Sequence, residues 1–275
     1  VNILFYVDDR AESGLGHVRR SEALAHTLES RGAKVDFALR SDAYDIGVID
    51  RYDVLNRDIE RMRARCKRLV GFHDMGQIDQ RFSLVISTVI GKNMRVGDVA
   101  VLGGHEYRIV HPEVRARSPI VVKEHIEKII VTLGSAPTMA MQTARLVEAL
   151  KRALPHIRFE PIAGLSPGDA LAAYGSADVA ICAGGQTLIE LSYLGVPIIA
   201  VIASEDQGRQ VDDALAHDAV VVAGRISDTG VAMRIAAAID SLYSADARGK
   251  LSVASKHYID GRGAERIVEA LERLI

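Results

Sequence analysis

A histidine placed directly after a glycine-rich turn is the arrangement in this chain best suited to chemistry. Ser13-Gly14-Leu15-Gly16-His17 follows the apolar run Ile3-Leu4-Phe5-Tyr6-Val7 and leads into Val18-Arg19-Arg20-Ser21-Glu22. Glycines at positions 14 and 16 let the backbone come close to a ligand and adopt positive φ. A helix starting there offers N–H groups without intrahelical partners and a partial positive charge, which suit a phosphate-type anion. His17 at that helix start adds a titratable base beside the anion. The competing reading is a tight turn at Gly14 and Gly16 with His17 capping the helix.

A second constellation lies at Ile181-Cys182-Ala183-Gly184-Gly185-Gln186-Thr187-Leu188-Ile189-Glu190. A strand ends in two glycines and a helix starts at Gln186-Thr187, so backbone N–H groups and a hydroxyl point at a phosphate. Glu190 shares a helix face with Thr187 and is placed to take the two hydroxyls of a ribose. Thr187 and Glu190 also have the spacing of a capping box. Another glycine turn stands at Gly134-Ser135, and Ser204-Glu205-Asp206-Gln207 lies just past an apolar strand. In the first half, Asp50-Arg51-Tyr52-Asp53 and His73-Asp74-Met75 each follow an apolar strand; they reach the same cleft as His17 or form solvated loops. A dinucleotide fingerprint is set aside, because its third glycine falls on Arg19 and Asp36 sits inside Lys34-Val35-Asp36-Phe37.

Alternating strands and helices must position these groups. Strands are expected near Asn2–Val7, Lys34–Leu39, Ile46–Ile49, Arg68–Phe72 and Leu84–Ser87, with helices at His17–Arg31 and Arg57–Cys66. Arg115-Ala116-Arg117-Ser118-Pro119 reads as a linker. The pattern restarts at Lys128–Leu133, followed by a helix from Thr138 to Leu154 and strands at Ile157–Ile162, Val179–Cys182, Pro197–Ile202 and Ala219–Val222. The expected architecture is α/β: two Rossmann-like domains, 1–117 and 118–275, whose parallel sheets face across a cleft, with the final amphipathic stretch Gly263–Leu274 packing back. Ligands in such sheets bind beyond the carboxyl ends of the strands.

Composition narrows the function classes. The chain has 275 residues, 48% hydrophobic and 25% charged, enough for two cored domains. A net charge of −2 supplies no footprint for nucleic acid, and the absence of Trp argues against a sugar groove of stacked indoles. No apolar run has membrane-spanning length, and the N-terminus opens on a strand rather than a signal peptide. Cys66 and Cys182 have no metal-ligand spacing, and the nine histidines form no paired motif; reduced thiols, a cytoplasmic location, no metal and no cofactor are expected.

Taken in order, several signatures resemble a known family. They are Gly14-Leu15-Gly16-His17-Val18-Arg19-Arg20, Val48-Ile49-Asp50-Arg51-Tyr52, Gly103-Gly104-His105-Glu106-Tyr107, Ala177-Asp178 through Gly184-Gly185-Gln186-Thr187-Leu188-Ile189-Glu190, and Asp260-Gly261-Arg262-Gly263-Ala264-Glu265-Arg266. Across essentially its whole length the chain resembles the nucleotide-sugar hydrolases of pseudaminic acid biosynthesis and their spore-coat polysaccharide relatives. These belong to the wider MurG-like group with the GT-B fold. The resemblance implies hydrolysis of a UDP-linked amino sugar at the anomeric carbon, releasing UDP. It makes His17 the base that activates water, Tyr52 and Gln207 part of the sugar site together with Asp206, and Gly184, Gly185, Gln186, Thr187 and Glu190 the nucleotide-binding stretch. Asp206 departs from the Asn usual there, Gly134-Ser135-Ala136-Pro137 from a Gly-Gly-X-Asp pattern, and His73-Asp74 from an Asp-Asp pair. Two other functions fit the same scaffold: a glycosyltransferase in which His17 activates an acceptor hydroxyl, and a non-catalytic nucleotide-sugar-binding partner.

Overall fold

A computed structural model describes the chain apart from residues 9, 11–14, 41–42, 52, 74–76 and 88–89 and the side chain of Asp206. It divides into two compact units, Val1–Pro112 with Gly261–Ile275, and Glu113–Asp260.

The first unit holds β1 (Asn2–Val7), α1 (Gly16–Ser30), β2 (Lys34–Asp36), β3 (Tyr44–Asp50), α2 (Asn56–Arg63), β4 (Cys66–His73), β5 (Leu84–Ser87), β6 (Met94–Val96) and β7 (Val99–Gly103). Its sheet order is β2-β1-β3-β4-β5-β7-β6, parallel throughout except for the β6–β7 pair. That antiparallel hairpin was not among the expected strands. Its signal was Gly97-Asp98, a tight turn with Gly97 at φ +58°, a conformation that favours glycine. β2 ends at Asp36 rather than Leu39, and Phe37 instead stacks on Phe5 at 5.1 Å. The expected second helix stops at Arg63, because Cys66 already opens β4.

A short helix α3 (Pro112–Arg115) stands at the division between units. The second unit then runs β8 (Lys128–Thr132), α4 (Pro137–Ala153), β9 (Arg158–Pro161), α5 (Pro167–Ser176), β10 (Val179–Ala183), α6 (Gln186–Leu194), β11 (Ile198–Ile202), α7 (Gly208–Ala216), β12 (Val221–Arg225), α8 (Val231–Ser241) and α9 (Ala245–Tyr258). Its sheet, β12-β11-β10-β8-β9, is wholly parallel. β10 and β11 lie inside it and are apolar runs, as strands covered on both faces require. Prolines at the first turns of α4 and α5 start those helices, and the Ser166 hydroxyl caps α5 by accepting the Asp169 N–H at 3.2 Å.

Both sheets share one plan. Counting strands within each unit, the second lies outside the first on one side, and the third, fourth and fifth follow on the other. The winding therefore reverses between β1 and β3, and again between β8 and β10, and the carboxyl ends there are the default ligand positions.

The last helix, α10 (Gly263–Glu272), belongs to the first unit. Ala264, Ile267, Val268 and Leu271 recur at helical spacing and enter the core formed by Ile3, Phe5, Leu24 and Leu28. A Cβ at Gly263 would meet the Arg108 carbonyl oxygen, so only glycine lets α10 begin this close. The motif around Gly263 and Arg266 is thus a docking element: the Arg266 guanidinium donates to the Glu106 carbonyl at 2.9 Å. Ala177-Asp178 is likewise structural. The Asp178 carboxylate accepts the backbone N–H groups of Glu127 and Lys128, each at 2.9 Å, and pairs with Lys123 at 2.8 Å, tying the incoming chain to β8. Among the described residues no helix is long and apolar enough to cross a membrane.

Candidate functional site

At the first reversal point, Asp50 is the last residue of β3 and is fully buried. Asp8 follows β1 beside it, its N–H donating to the Asp50 carbonyl at 2.8 Å. The opening turns of α1 aim three side chains at the Asp50 carboxylate. The His17 Nδ1 lies 2.5 Å from Oδ1, and Arg20 reaches Oδ1 with Nη2 at 2.5 Å and Oδ2 with Nε at 2.7 Å. Ser21 donates its hydroxyl to Oδ2 at 2.9 Å. Positions 17, 20 and 21 are neighbours on one helix face, which is why a single helix delivers all three.

The electrostatics of this cluster decide its protonation pattern. Burial pushes the Asp50 carboxyl upward, but the Arg20 guanidinium and the hydrogen bonds from Arg20 and His17 outweigh it and hold the group below the usual carboxylate range. An ionised carboxylate only accepts, so the short contact to His17 requires the proton on Nδ1, which puts the basic lone pair of a neutral ring on Nε2. The Arg20 Nη2 sits 3.0 Å from His17 Nδ1; with that nitrogen donating to Asp50, the approach is a consequence of shared attachment rather than a second hydrogen bond. His17 is 4% exposed and Leu15, not His17, occupies the cap position of α1 without a side-chain cap bond. The capping reading of His17 is therefore set aside, and its ring serves Asp50.

Two further groups line this carboxyl edge. The Asp8 carboxylate holds Arg10 through Nη2 at 2.6 Å and Nε at 2.8 Å. His73 closes β4, with Nδ1 3.4 Å from the hydroxyl of Ser87 at the end of β5. Arg51 turns back onto the fold instead: its guanidinium lies 4.5 Å from the Tyr6 ring centroid and donates to the Val7 carbonyl at 3.1 Å.

In the second unit, Gly134 follows β8 with φ +133°, a backbone conformation restricted to glycine. Beyond β10, Gly184 and Gly185 turn the chain into α6, with Gly185 at the cap position and no side-chain cap bond. Thr187 therefore lies inside the helix, and the Thr187–Glu190 capping box does not form. Glu190 is buried within α6. A Cβ on Gly184 would lie 2.5 Å from Val211 Cγ2 and 3.0 Å from the Gln207 carbonyl oxygen, so α7 presses directly on this turn. Gln210 donates its amide to the Gly185 carbonyl at 3.1 Å, and the Gln207 Oε1 accepts the Ala203 N–H at 3.2 Å. Trans peptide geometry makes the Gln186 N–H point opposite to that held carbonyl, away from α7.

The first unit thus gathers His17, Arg20, Ser21 and Asp50, whereas Gly134, Gly184, Gly185, Gln186, Thr187, Glu190 and Gln207 belong to the second. Gly16 is the first residue of α1. Gly14 and Tyr52 lie outside the described residues, as does the side chain of Asp206. Sequence reasoning assigned no role to Arg20 or Ser21 and left Asp50 open between cleft and solvated loop. One signal was present, the helical spacing of 17, 20 and 21.

No protein-family model and no curated protein sequence matches the chain. Solved structures do. MurG of Acinetobacter baumannii superposes with a TM-score of 0.66 at 14% identity, covering 99% of both chains. The glycotransferase of kitacinnamycin gives 0.65 at 15% identity, over 100% of this chain and 98% of its own. The spinosyn rhamnosyltransferase SpnG, complexed with thymidine diphosphate, gives 0.59 at 14% identity, over 99% of this chain and 100% of its own. The chain has the GT-B fold of these glycosyltransferases.

Proposed function

We propose that the protein is a glycosyltransferase using a nucleoside-diphosphate sugar, with His17 as the base. The observation that carries this reading is the buried His17–Asp50 pair, 2.5 Å apart at the first sheet's reversal point, within a glycosyltransferase fold. In the reaction the acceptor hydroxyl oxygen bonds to the anomeric carbon as that carbon's bond to the diphosphate breaks. The acceptor proton passes to Nε2 of His17, and Asp50 steadies the ring that receives it. The negative charge growing on the departing diphosphate is met by backbone N–H groups at Gly134 and at the start of α6, with the Thr187 hydroxyl beside them. Glu190 takes the ribose. The thymidine diphosphate bound by the rhamnosyltransferase neighbour supports a nucleoside diphosphate as the leaving group here.

Hydrolysis is the second reading, with water in place of the acceptor and a UDP-linked amino sugar as substrate. It is favoured by Gly14-Leu15-Gly16-His17-Val18-Arg19-Arg20, one of the signatures that resemble the sugar-nucleotide hydrolases. Release of nucleoside diphosphate from panels of UDP- and TDP-linked sugars, with and without hydroxyl acceptors, separates the two. Acceptor-dependent release is the expected result, and equal release without any acceptor makes the enzyme a hydrolase. Failure to turn over any nucleotide sugar overturns both.

A further inference from the structure

The motif Gly16-His17-Val18-Arg19-Arg20 ends in an arginine that neither proton transfer nor nucleotide binding uses, yet Arg20 makes two of the four contacts on the Asp50 carboxylate. Its guanidinium meets both oxygens of Asp50 and lies with its carbon 4.5 Å from the centroid of the Phe72 ring. We propose that Arg20 is a positioning residue that fixes the plane of the Asp50 carboxylate and, through it, the direction of the His17 ring. The proposal rests on the reading of His17 as the proton acceptor.

Asp50 has four acceptor positions, and four contacts fall on it: His17 Nδ1 and Arg20 Nη2 on Oδ1, Arg20 Nε and Ser21 Oγ on Oδ2. A single N–H···O bond from His17 and a single O–H···O bond from Ser21 leave the carboxylate able to rotate about its terminal torsion, which is broad and soft. A two-pronged guanidinium removes that freedom, because both of its bonds are coplanar with the carboxylate. The guanidinium plane needs its own support, and the Phe72 face supplies it. The chain of control therefore runs Phe72, Arg20, Asp50, His17, across β4, α1 and β3 of one unit.

A lysine at position 20 separates this role from simple charge neutralisation. Lys keeps the positive charge beside Asp50 but has one nitrogen, no plane and no stacking face. If Arg20 only balances a buried charge, Arg20→Lys restores function; if it sets a plane, Lys fails as a substitute.

The test uses the full chain and two readouts. Proton NMR of the unliganded protein reports the short His17 Nδ1–H···Oδ1 bond as a downfield imidazole resonance, assigned by its loss in His17→Gln. Arg20→Lys is expected to broaden or abolish that resonance while the remainder of the spectrum stays folded. Steady-state kinetics of the same variant are expected to show kcat lower by about 10²-fold, the scale of a misdirected catalytic group, with KM for the nucleotide sugar within about twofold. Phe72→Leu keeps the ion pair but removes the stacking face, and its expected kcat loss is smaller with the same spectral change. An unchanged resonance with full kcat in Arg20→Lys overturns the proposal. A resonance that depends on Arg20, in a protein whose His17→Gln variant retains full turnover, overturns the assignment of His17 instead and leaves Arg20 organising a cluster without catalytic use.

Discussion

His17 and Asp50 stand 33 positions apart in the chain and meet at 2.5 Å with both side chains almost wholly out of solvent. One comes from the first turn of a helix and the other from the end of a strand, so the pair exists only when α1 is packed on the sheet. The contacts that orient the His17 ring are therefore also contacts that hold α1 on the sheet.

Asp50 links the cluster to stability through pH. Its folded-state carboxyl is held below the ordinary range, against the upward push of burial, by Arg20 and His17. A depressed carboxyl contributes stability that is complete above its unfolded value of about 3.9 and disappears as pH falls through the lower folded value. Asp50→Asn leaves Arg20 without its carboxylate and is expected to cost about 3–5 kcal/mol at pH 7. Denaturant unfolding from pH 8 down to pH 3 checks this. The difference between wild type and variant is expected to stay level above about pH 5 and shrink below pH 4. A difference that does not change with pH would remove Asp50 from the acid response.

Gly184 tests how closely α7 supports the turn before α6. A methyl group there would approach Val211 Cγ2 to 2.5 Å, with backbone oxygen on another side. Gly184→Ala is expected to destabilise the protein by about 1–3 kcal/mol, the usual cost of overpacking. Val211→Ala in the same chain is expected to recover part of the loss, since it removes the obstructing methyl groups. Thermal unfolding of the single and double variants reads this directly, and additive losses would mean that the turn, not the contact, carries the strain.

Glu190 carries the nucleotide assignment of the second unit. If its carboxylate holds ribose hydroxyls, Glu190→Gln is expected to weaken UDP about tenfold, or 1.4 kcal/mol. The loss is expected to be smaller for TDP, whose deoxyribose lacks the 2′-hydroxyl. Isothermal titration of folded protein checks it. Equal affinities in wild type and variant would return Glu190 to the interior of α6 as a packing residue.

Much of the fold was legible because short apolar runs such as Val179–Ala183 and Ile198–Ile202, alternating with helical stretches, read as buried parallel strands, and because glycines mark the strand-to-helix turns. The β6–β7 hairpin escaped because the three residues of β6, with Met94 and Arg95 exposed, carry almost no periodic signal. At the site, His17 stood out through its glycine turn, whereas Asp50 did not. An aspartate at a strand end looks the same in sequence whether it faces water or a buried guanidinium. Its partner is 30 positions away, and only the packing of α1 against β3 makes them neighbours. The roles of Gly263 and Asp178 were obscured for a similar reason: each serves a long-range backbone contact that leaves no local pattern.

If His17 is the base in the breakdown of a nucleotide sugar, His17→Ala measured in a nucleoside-diphosphate release assay reveals it most directly. The expected result is a fall in kcat of about 10²- to 10⁴-fold, with affinity for UDP or TDP changed by less than about twofold. Full turnover in a folded His17→Ala protein would contradict the account and leave the His17–Asp50 pair as a structural feature of the first unit.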